Sequence, residues 1–385
     1  MTEKLFHVDS HMITFSAIVE TCEKISGKEG DYYEAVLSRT AFFPEGGGQY
    51  ADTGKIDDLE VFDVQERDGV IYHMMKEALP VGKEVQGIID WEERFSKMQQ
   101  HSGEHIVSGL VHSRFGYDNV GFHMGKDVIT MDFNGMITKS QFLEIEKKAN
   151  EAVVKNLDIQ VIYPSKEELD QIEYRSKIEI EGQVRIVIIP GYDKCACCAP
   201  HVNKTGEIGI IKLVGIQNYK GGVRVSMLCG FRALADYNEK AENVKNISIM
   251  LSAKENEVAS EVAKLKEEIA VQKNCIAELQ KTILQYKVDR IQENQEMVIL
   301  FEDSLDGNAP RELANLLLKK NTKVVAVFVG TEEKGYRYVI GSKCVDVRPI
   351  AKMLNEKFEG RGGGKPEMVQ GSIYGKESEI KDELK

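Results

Sequence analysis

Long apolar runs are missing from this chain: no stretch approaches the roughly 20 residues that a membrane-spanning helix needs. The opening Met1-Thr2-Glu3-Lys4-Leu5 also lacks the basic-then-apolar layout of a signal peptide, so the expected location is cytoplasmic, with no membrane partner. Cysteine is scarce and odd in number. Seven in 385 residues, with Cys22, Cys229, Cys275 and Cys344 isolated, exclude a disulfide framework, and these four read as small buried hydrophobes. Basic side chains are in deficit as well, 50 against 62 acidic, giving a net charge of −12. Generic nucleic-acid binding needs the opposite sign, so any such partner must be met by local basic patches. With 42% hydrophobic and 29% charged residues the chain has material for a core, which excludes disorder and collagen-like order, and its length suits two or three domains.

The pattern along the chain predicts an α+β protein in four segments. Residues 1–90 alternate in short apolar runs, such as Tyr33–Leu37, Leu59–Phe62 and Val70–Tyr72, broken by glycine and aspartate; this is a β-rich, barrel-like domain. Its one unusual interruption, Phe43-Pro44-Glu45-Gly46-Gly47-Gly48-Gln49, sets three glycines together, either as a flexible hairpin or as backbone that must approach another surface closely. Residues 91–232 mix periods: a helix over Trp91–Phe115 with Phe95, Met98, Ile106, Leu110 and Val111 on one face, a second helix over Ser140–Asn156, and strands near 128–133, 160–163, 184–189, 209–214 and 223–228. From 233 to 293 there is neither proline nor glycine, and Val244, Ile247, Leu251, Lys254, Val258, Val262, Leu265, Ile269, Gln272, Ile276, Leu279, Ile283 and Tyr286 step as a heptad seam with one stutter, Gln272 at a core position helping to fix register. That predicts one long helix in a coiled coil, between protomers or against the chain's own elements, and favours a homodimer. Residues 294–385 read as a small α/β domain with buried strands at 298–301 and 324–329, helices at 311–320 and 346–358, and a closing Gly360-Arg361-Gly362-Gly363-Gly364-Lys365-Pro366.

Two clusters carry chemistry. His101 and His105 stand at i and i+4 of the predicted helix, where two imidazoles share a face and reach one metal; Cys197 and His201 offer a thiolate and an imidazole with three residues between them. Either pair alone is weak, since His7 and His11 repeat the first spacing near a strand-like terminus. Together they form a nitrogen and sulfur donor set that suits zinc, against the alternative of a buried thiol near surface histidines. His101-x-x-Glu104-His105 also fits an inverted zinc-peptidase pattern, but the best downstream donors are Cys197 and His201 rather than a carboxylate, and Glu104 reads equally as a solvated helix residue.

With Thr205-Gly206-Glu207-Ile208-Gly209 following, these motifs resemble the editing domain of alanyl-tRNA synthetase, and most closely the free-standing AlaX trans-editing proteins. The tail Gly360–Met368 resembles the glycine-rich motif of the DHHA1 domain that closes the long AlaX form. The resemblance runs over nearly the whole chain in the family's order, and without an aminoacylation domain ahead of it the expectation is a free-standing editing protein rather than a synthetase. It implies hydrolysis of the ester joining serine, or glycine, to alanine-specific tRNA. The logic is physical: a pocket for alanine rejects serine or glycine poorly, so a second site removes them, reading the serine hydroxyl by hydrogen bonds.

Carried over residue by residue, the resemblance makes His101, His105, Cys197 and His201 the zinc ligands, with Cys195 and Cys198 as extra thiols open to a swapped ligand. Four protein ligands close a zinc site, so the metal is expected to organise the site and position the substrate while the water is activated nearby, with His101, His105 and Gln49 as the catalytic group. Gly46, Gly47, Gly48 and Gln49 match the loop that closes over the site; Thr40 and His123 are further substrate contacts, and Lys220 and Arg224 meet acceptor-stem phosphates. Gly360, Arg361, Gly362, Gly363, Gly364 and Lys365 are expected to approach RNA, whereas a phosphate-binding P-loop is excluded because Pro366 follows the lysine. Two rival readings stand beside this one: seryl deacylation of threonine-specific tRNA, and a non-catalytic tRNA-binding protein that keeps zinc for stability.

Overall fold

The computed structural model describes residues 1–27, 30–125, 127–176, 182–305 and 307–385, in two compact units, Met1–Lys245 and Asn246–Lys385. The first unit opens with β1 (Glu3–Lys4) and a single helical turn, α1 (Leu5–Val8), so the segment expected to be strand-like around His7 is helical. Then come β2 (Thr14–Gly27), β3 (Gly30–Leu37), β4 (Arg39–Thr40, parallel to β1), β5 (Gly54–Ile56), β6 (Leu59–Arg67), β7 (Val70–Met75) and β8 (Glu84–Ile89). Six of these hydrogen-bond in a continuous ring in the order β2-β3-β7-β6-β5-β8 and back to β2. Period-two alternation, cleanest in β8, sends Val85 and Ile89 inward to join Phe15, Val19, Leu37, Ile56, Val64, Ile71 and Met75 in one core.

Helix α2 (Trp91–Phe115) has the bounds its sequence predicts, because Asp90 caps it by accepting from the Glu93 amide and Gly116, at φ 69°, ends it in the left-handed conformation. After it come β9 (Asn119–Met124), β10 (Ile129–Phe133), α3 (Lys139–Lys155), β11 (Gln160–Ile162), α4 (Lys166–Leu169), β12 (Ile186–Ile189), β13 (Asp193–Ala196), β14 (Ile211–Tyr219) and β15 (Gly222–Cys229). They form an antiparallel sheet β14-β15-β10-β9 and a smaller one, β11-β12-β13. Met98, Ile106, Val107 and Val111 of α2 bury against Met131, Val225 and Met227 of the larger sheet and against Phe142 and Ile145 of α3.

The single long helix expected over 233–293 is two helices, α5 (Gly230–Leu251) and α6 (Val258–Asp289), separated by a short 3-10 turn at Glu255–Glu257. Ser252 takes φ 51°; its amide bonds to the Ile249 carbonyl at 3.1 Å and that of Ala253 to the Ser248 carbonyl at 2.9 Å, which is a Schellman ending without the usual glycine. The apparent stutter in the heptads, Val258 to Val262, follows directly in the first turns of α6. Beyond α6, the second unit builds β16 (Met297–Glu302), α7 (Ala309–Leu318), β17 (Val324–Thr331), β18 (Gly335–Ser342), α8 (Arg348–Lys357), β19 (Arg361–Lys365), β20 (Met368–Ile373) and α9 (Glu377–Glu383). Its sheet runs β16-β17-β18-β20-β19, with Leu313 and Leu317 of α7 packed on one face and Ala351 and Leu354 of α8 on the other. Among the described residues, no helix is long and apolar enough to cross a membrane.

Candidate metal centre

Helical spacing places His101 and His105 on one side of α2, and Gly103 between them has a purpose: a Cβ there would lie 2.4 Å from Cys229 Sγ, so only glycine lets α2 lie this close to β15. The loop after β13 brings the second pair. Ala199 is buried in the core of the ring, Cys197 packs beside it, and Arg185 donates to the carbonyls of Cys197 and Ala199 at 2.8 and 3.1 Å. Held in this way, one ligand atom from each of His101, His105, Cys197 and His201 lies within 4.8 Å of the others. Cys197 Sγ sits 3.5 Å from His101 Nε2 and 3.4 Å from His201 Nε2.

The outer nitrogens are all engaged. His101 Nδ1 faces Gln49 Oε1 at 3.0 Å, His105 Nδ1 faces Asp193 Oδ2 at 2.9 Å, and His201 Nδ1 faces Ser102 Oγ at 3.0 Å. Oxygen partners at Nδ1 fix each ring and leave Nε2 for the centre, which is how metal-ligating histidines are oriented, so these residues fit a bound ion. Asp193 is itself fixed by Arg175, whose Nε and Nη2 each donate to it at 2.8 Å. Burial pushes the Cys197 thiol up, but the three imidazoles more than offset this and hold it well below the usual thiol value. Burial likewise disfavours charge on His105, yet Asp193 and Cys197 carry its pKa well above the ordinary one. His201 has no carboxylate and falls to about 3, chiefly through burial. The lowered values at Cys197 and His201 give a thiolate and a neutral imidazole, the donor states a soft divalent metal requires, whereas His105 would have to shed its Nε2 proton on binding one.

The extra thiols lie elsewhere. Cys195 groups with Asp193 and His105 on the Nδ1 side of that ring, where Asp193 is already the partner, and burial raises its thiol. Cys198 is raised to about 11, again by burial first, and lies beside the glycine loop, 3.6 Å from where a Gly47 Cβ would be. The loop is a tight turn closed by Gly46 N to Gln49 O at 3.1 Å and the reciprocal bond at 3.0 Å, with Gly47 and Gly48 at φ 61° and 81°. A Gly48 side chain would strike Phe122 at 2.8 Å. The turn therefore seats on β9, and Gln49, 1% exposed, reaches His101.

His123 is exposed at the rim of this loop, its ring 6.1 Å from that of Tyr50. Thr40 is not brought to the cluster; it is fully buried and its hydroxyl serves His73 Nε2 at 2.8 Å and the Phe42 amide at 3.1 Å. Arg224 is paired with Asp132 at 2.6 and 2.8 Å across β10 and β15, and Lys220 stands exposed in the turn joining β14 to β15. Gly360 closes the segment before β19, and Arg361–Lys365 form that strand, exposed at the sheet's edge. Glu104 is buried, not solvated, and accepts from Ser108 Oγ at 2.7 Å and Asn119 Nδ2 at 2.6 Å. Sequence reasoning missed Asp193, Arg175 and Ser102, and also the fully buried Arg94–Asp52 pair. Asp52 accepts from the Phe43 amide at 2.6 Å and from Arg94 Nε at 2.8 Å, and Arg94 also donates to the Ala41 carbonyl at 2.5 Å, tying both ends of the glycine loop to α2. Of these only Ser102, next to His101, carried a local signal.

Comparison with known proteins matches three family models in order: tRNA synthetases class II (A) over residues 3–93, the threonyl and alanyl tRNA synthetase second additional domain over 184–226, and the DHHA1 domain over 294–385. The alanyl-tRNA editing protein AlaX-L of Pyrococcus horikoshii is 26% identical, over 99% of this chain and 97% of its own length. The alanyl-tRNA editing protein Aarsd1 of Rattus norvegicus is 27% identical, over 88% of this chain and 84% of its own. An alanine–tRNA ligase of Thermofilum pendens is 28% identical over 97% of this chain, which spans only 42% of the ligase. The chain is a homologue of the AlaX-type alanyl-tRNA editing proteins and matches their long form, the one that ends in a DHHA1 domain.

Proposed function

We propose that the chain is a trans-editing deacylase that hydrolyses seryl and glycyl esters of tRNA(Ala), with zinc at the His101, His105, Cys197 and His201 centre. The observation that supports this best is Gln49. Its Oε1 is engaged with His101 Nδ1, while its Nε2 is buried without a hydrogen-bond partner. Leaving such a donor unmet costs about 1–3 kcal/mol, and an ester carbonyl bound beside the cluster would meet it. As water adds to that carbonyl, the oxygen gains negative charge and the Nε2 bond strengthens, which is transition-state stabilisation. The ester bond to the ribose oxygen then breaks, releasing the amino acid and a free tRNA hydroxyl.

Zinc, when bound, would supply positive charge at the cluster and tie the 197–201 loop to α2. The glycine turn excludes bulk water, and Gln49 couples the ligand His101 to the reacting carbonyl. Serine and glycine esters are the substrates this reading favours because the resemblance is to the alanine system.

The same reading makes the protein a homodimer through α6. Leu284 and Val288 on one side of α6 are buried against the sheet of the second unit, whereas the heptad seam of Leu265, Ile269, Ile276, Leu279, Ile283 and Tyr286 stays exposed. An apolar row of that length fits a second copy. The catalytic test is direct: tRNA(Ala) charged with serine, glycine or alanine is incubated with the protein and the surviving ester measured. Loss of the first two with alanine spared is expected. Equal survival of all three would leave a zinc-stabilised tRNA-binding protein, and faster loss from seryl tRNA(Thr) would move the substrate to the threonine system.

A further inference from the structure

Arg94, 0% exposed, spends its guanidinium on three segments of the first unit. Nε and Nη2 both donate to Asp52, Nη2 also serves the Ala41 carbonyl at 2.5 Å, and Nη1 donates to the Ser10 carbonyl at 3.0 Å. Ala41 and Asp52 stand on the two legs of the glycine turn, which the Asp52 amide joins again through the Phe43 carbonyl at 2.9 Å. Lys97, one turn further along α2, adds a bond to the Ala51 carbonyl at 2.8 Å. Ser10 leads elsewhere. Its hydroxyl donates to the His201 carbonyl at 2.8 Å, and His7 in the same segment donates to the Cys198 carbonyl at 2.9 Å. The His7–His11 stretch, whose spacing imitates a metal-binding pair, is therefore a strap over the 197–201 loop.

Position on the helix gives the arrangement its meaning. Arg94, Lys97, His101 and His105 follow one another at steps of three, four and four residues, so one face of α2 carries both the anchors of the glycine turn and the first ligand pair. Stability alone is a poor account of the Arg94–Asp52 pair, because desolvation offsets the attraction between buried charges and apolar replacements are often neutral. Asp52 Oδ1 is in addition buried without a hydrogen-bond partner, which a purely stabilising arrangement has no reason to keep. A rigid planar fork suits a different task, holding three segments in one geometry.

We infer that Arg94 is a positioning residue for ester hydrolysis: its bonds go to none of the four candidate ligands, and it acts through Gln49 by seating the glycine turn against α2, with a second hold on the 197–201 loop through Ser10. The inference rests on the deacylase reading for the chemistry of Gln49, and on the hydrogen bonds alone for the geometry.

The test uses the full chain at saturating zinc. Arg94→Lys keeps a charge opposite Asp52 but replaces the fork by a point donor, which cannot serve Asp52, Ala41 and Ser10 in the same geometry. The single-turnover rate on seryl-tRNA(Ala) should fall about 10²-fold, the cost of a displacement of about 1 Å, while the protein concentration that gives half the maximal rate holds. In a Gln49→Ala background the same exchange should cost almost nothing further, since the group that Arg94 positions is gone; independent roles would multiply to a loss of about 10⁴ or more. A second readout needs no activity. Cys198 is exposed and lies 3.6 Å from where a Gly47 Cβ would be, so a turn that has lost its seat should leave this thiol faster to alkylate, with the exposed Cys275 and Cys344 of the second unit unchanged. Should Arg94→Lys not fold, Arg94→Met with Asp52→Asn removes both charges, keeps an acceptor for the Phe43 amide and carries the same expectations. Losses that multiply, or equal Cys198 alkylation in variant and wild type, would overturn the inference. If the wild type hydrolyses no charged tRNA yet Cys198 reacts faster in the variant, the positioning role stands and the deacylase reading falls. If the wild type hydrolyses seryl-tRNA(Ala) and the two losses multiply, the positioning role falls and the deacylase reading stands.

Discussion

Replacing Asp193 by asparagine should weaken zinc binding through a residue that touches no metal. Asp193 is 1% exposed; one oxygen faces His105 Nδ1 at 2.9 Å and both are fixed by Arg175 at 2.8 Å. An asparagine cannot satisfy both neighbours. With its carbonyl toward His105 its amide confronts the Arg175 guanidinium, and flipped, it offers N–H to His105 Nδ1 and favours the tautomer that protonates Nε2. Loss of a partner of this kind costs 10–100-fold in metal affinity, about 1.4–2.7 kcal/mol, and the upper end is expected because Arg175, 13% exposed, is left unpaired as well. Arg175→Gln leaves Asp193 on His105 but less firmly held, so about tenfold is expected. The double variant should lose less than the sum of the two, since no lone charge remains buried. Zinc affinity is read by competition with a chromophoric chelator, and folding by fluorescence of Trp91, the chain's one tryptophan. A folded Asp193→Asn protein that binds zinc as the wild type does would refute the reasoning.

Gln49→Ala removes the unpartnered donor and, assayed at saturating zinc, should lower the single-turnover rate of seryl-ester hydrolysis by about 10²–10³, while zinc affinity falls about tenfold because His101 loses its Nδ1 partner; an unchanged rate would remove Gln49 from the chemistry. Zinc removal by a chelator should lower the melting temperature, since a ligand at 1,000 times its dissociation constant stabilises by about 4 kcal/mol, and equal melting of the two forms would argue against the ligand set. His73, fully buried, falls from 6.5 to about 4, chiefly by desolvation, partly opposed by its bond to the Ala35 carbonyl. Its folded pKa lies below its unfolded one, so the unfolded chain binds the proton more readily and stability falls as pH drops below 6.5, until about 4. By pH 5 the loss is about 2 kcal/mol from this group. A His73→Gln variant should show a smaller drop in the Trp91-monitored urea midpoint between pH 7.5 and 5, and an identical drop would place the titration elsewhere.

What was legible in the sequence was local. Asp90 and Gly116 bracket α2 at both ends, and the i, i+4 spacing on a helix leaves His101 and His105 no choice but a shared face. Cys197 and His201 sit in one loop, and their number of intervening residues already permits a common ion. The misses are cross-chain or chemically unmarked. Asp193 reaches His105 because α2 and β13 pack together, an event 88 residues apart in the chain. Asp132 and Arg224 are partners only through strand register, which took Arg224 from a free phosphate contact to a paired one. Thr40 stood among the expected substrate contacts, but its place beside His73 depends on the ring. The helix break at Ser252 escaped because glycine and proline, the usual stop signals, are absent from it, and a serine took the left-handed position instead.

Net charge and RNA recognition are compatible once pairing is taken into account. Most arginines of the first unit are held by carboxylates, Arg94 in full burial and Arg175 largely so, and these two add rigidity around the metal cluster rather than attraction for phosphate. In the second unit Arg311, Arg337 and Arg361, which hold no carboxylate among the described residues, line one hollow. An acidic remainder repels an RNA that meets it at random, while a short cationic strip attracts one that meets it in register. Ester hydrolysis at the first unit and backbone contact at the second would then act as two weak holds on one tRNA, strong only when engaged together. On that argument a chain cut to the first unit keeps its zinc and its chemistry but needs far more charged tRNA to reach the same rate. A truncation that left the substrate requirement unchanged would show that the second unit serves something other than the substrate.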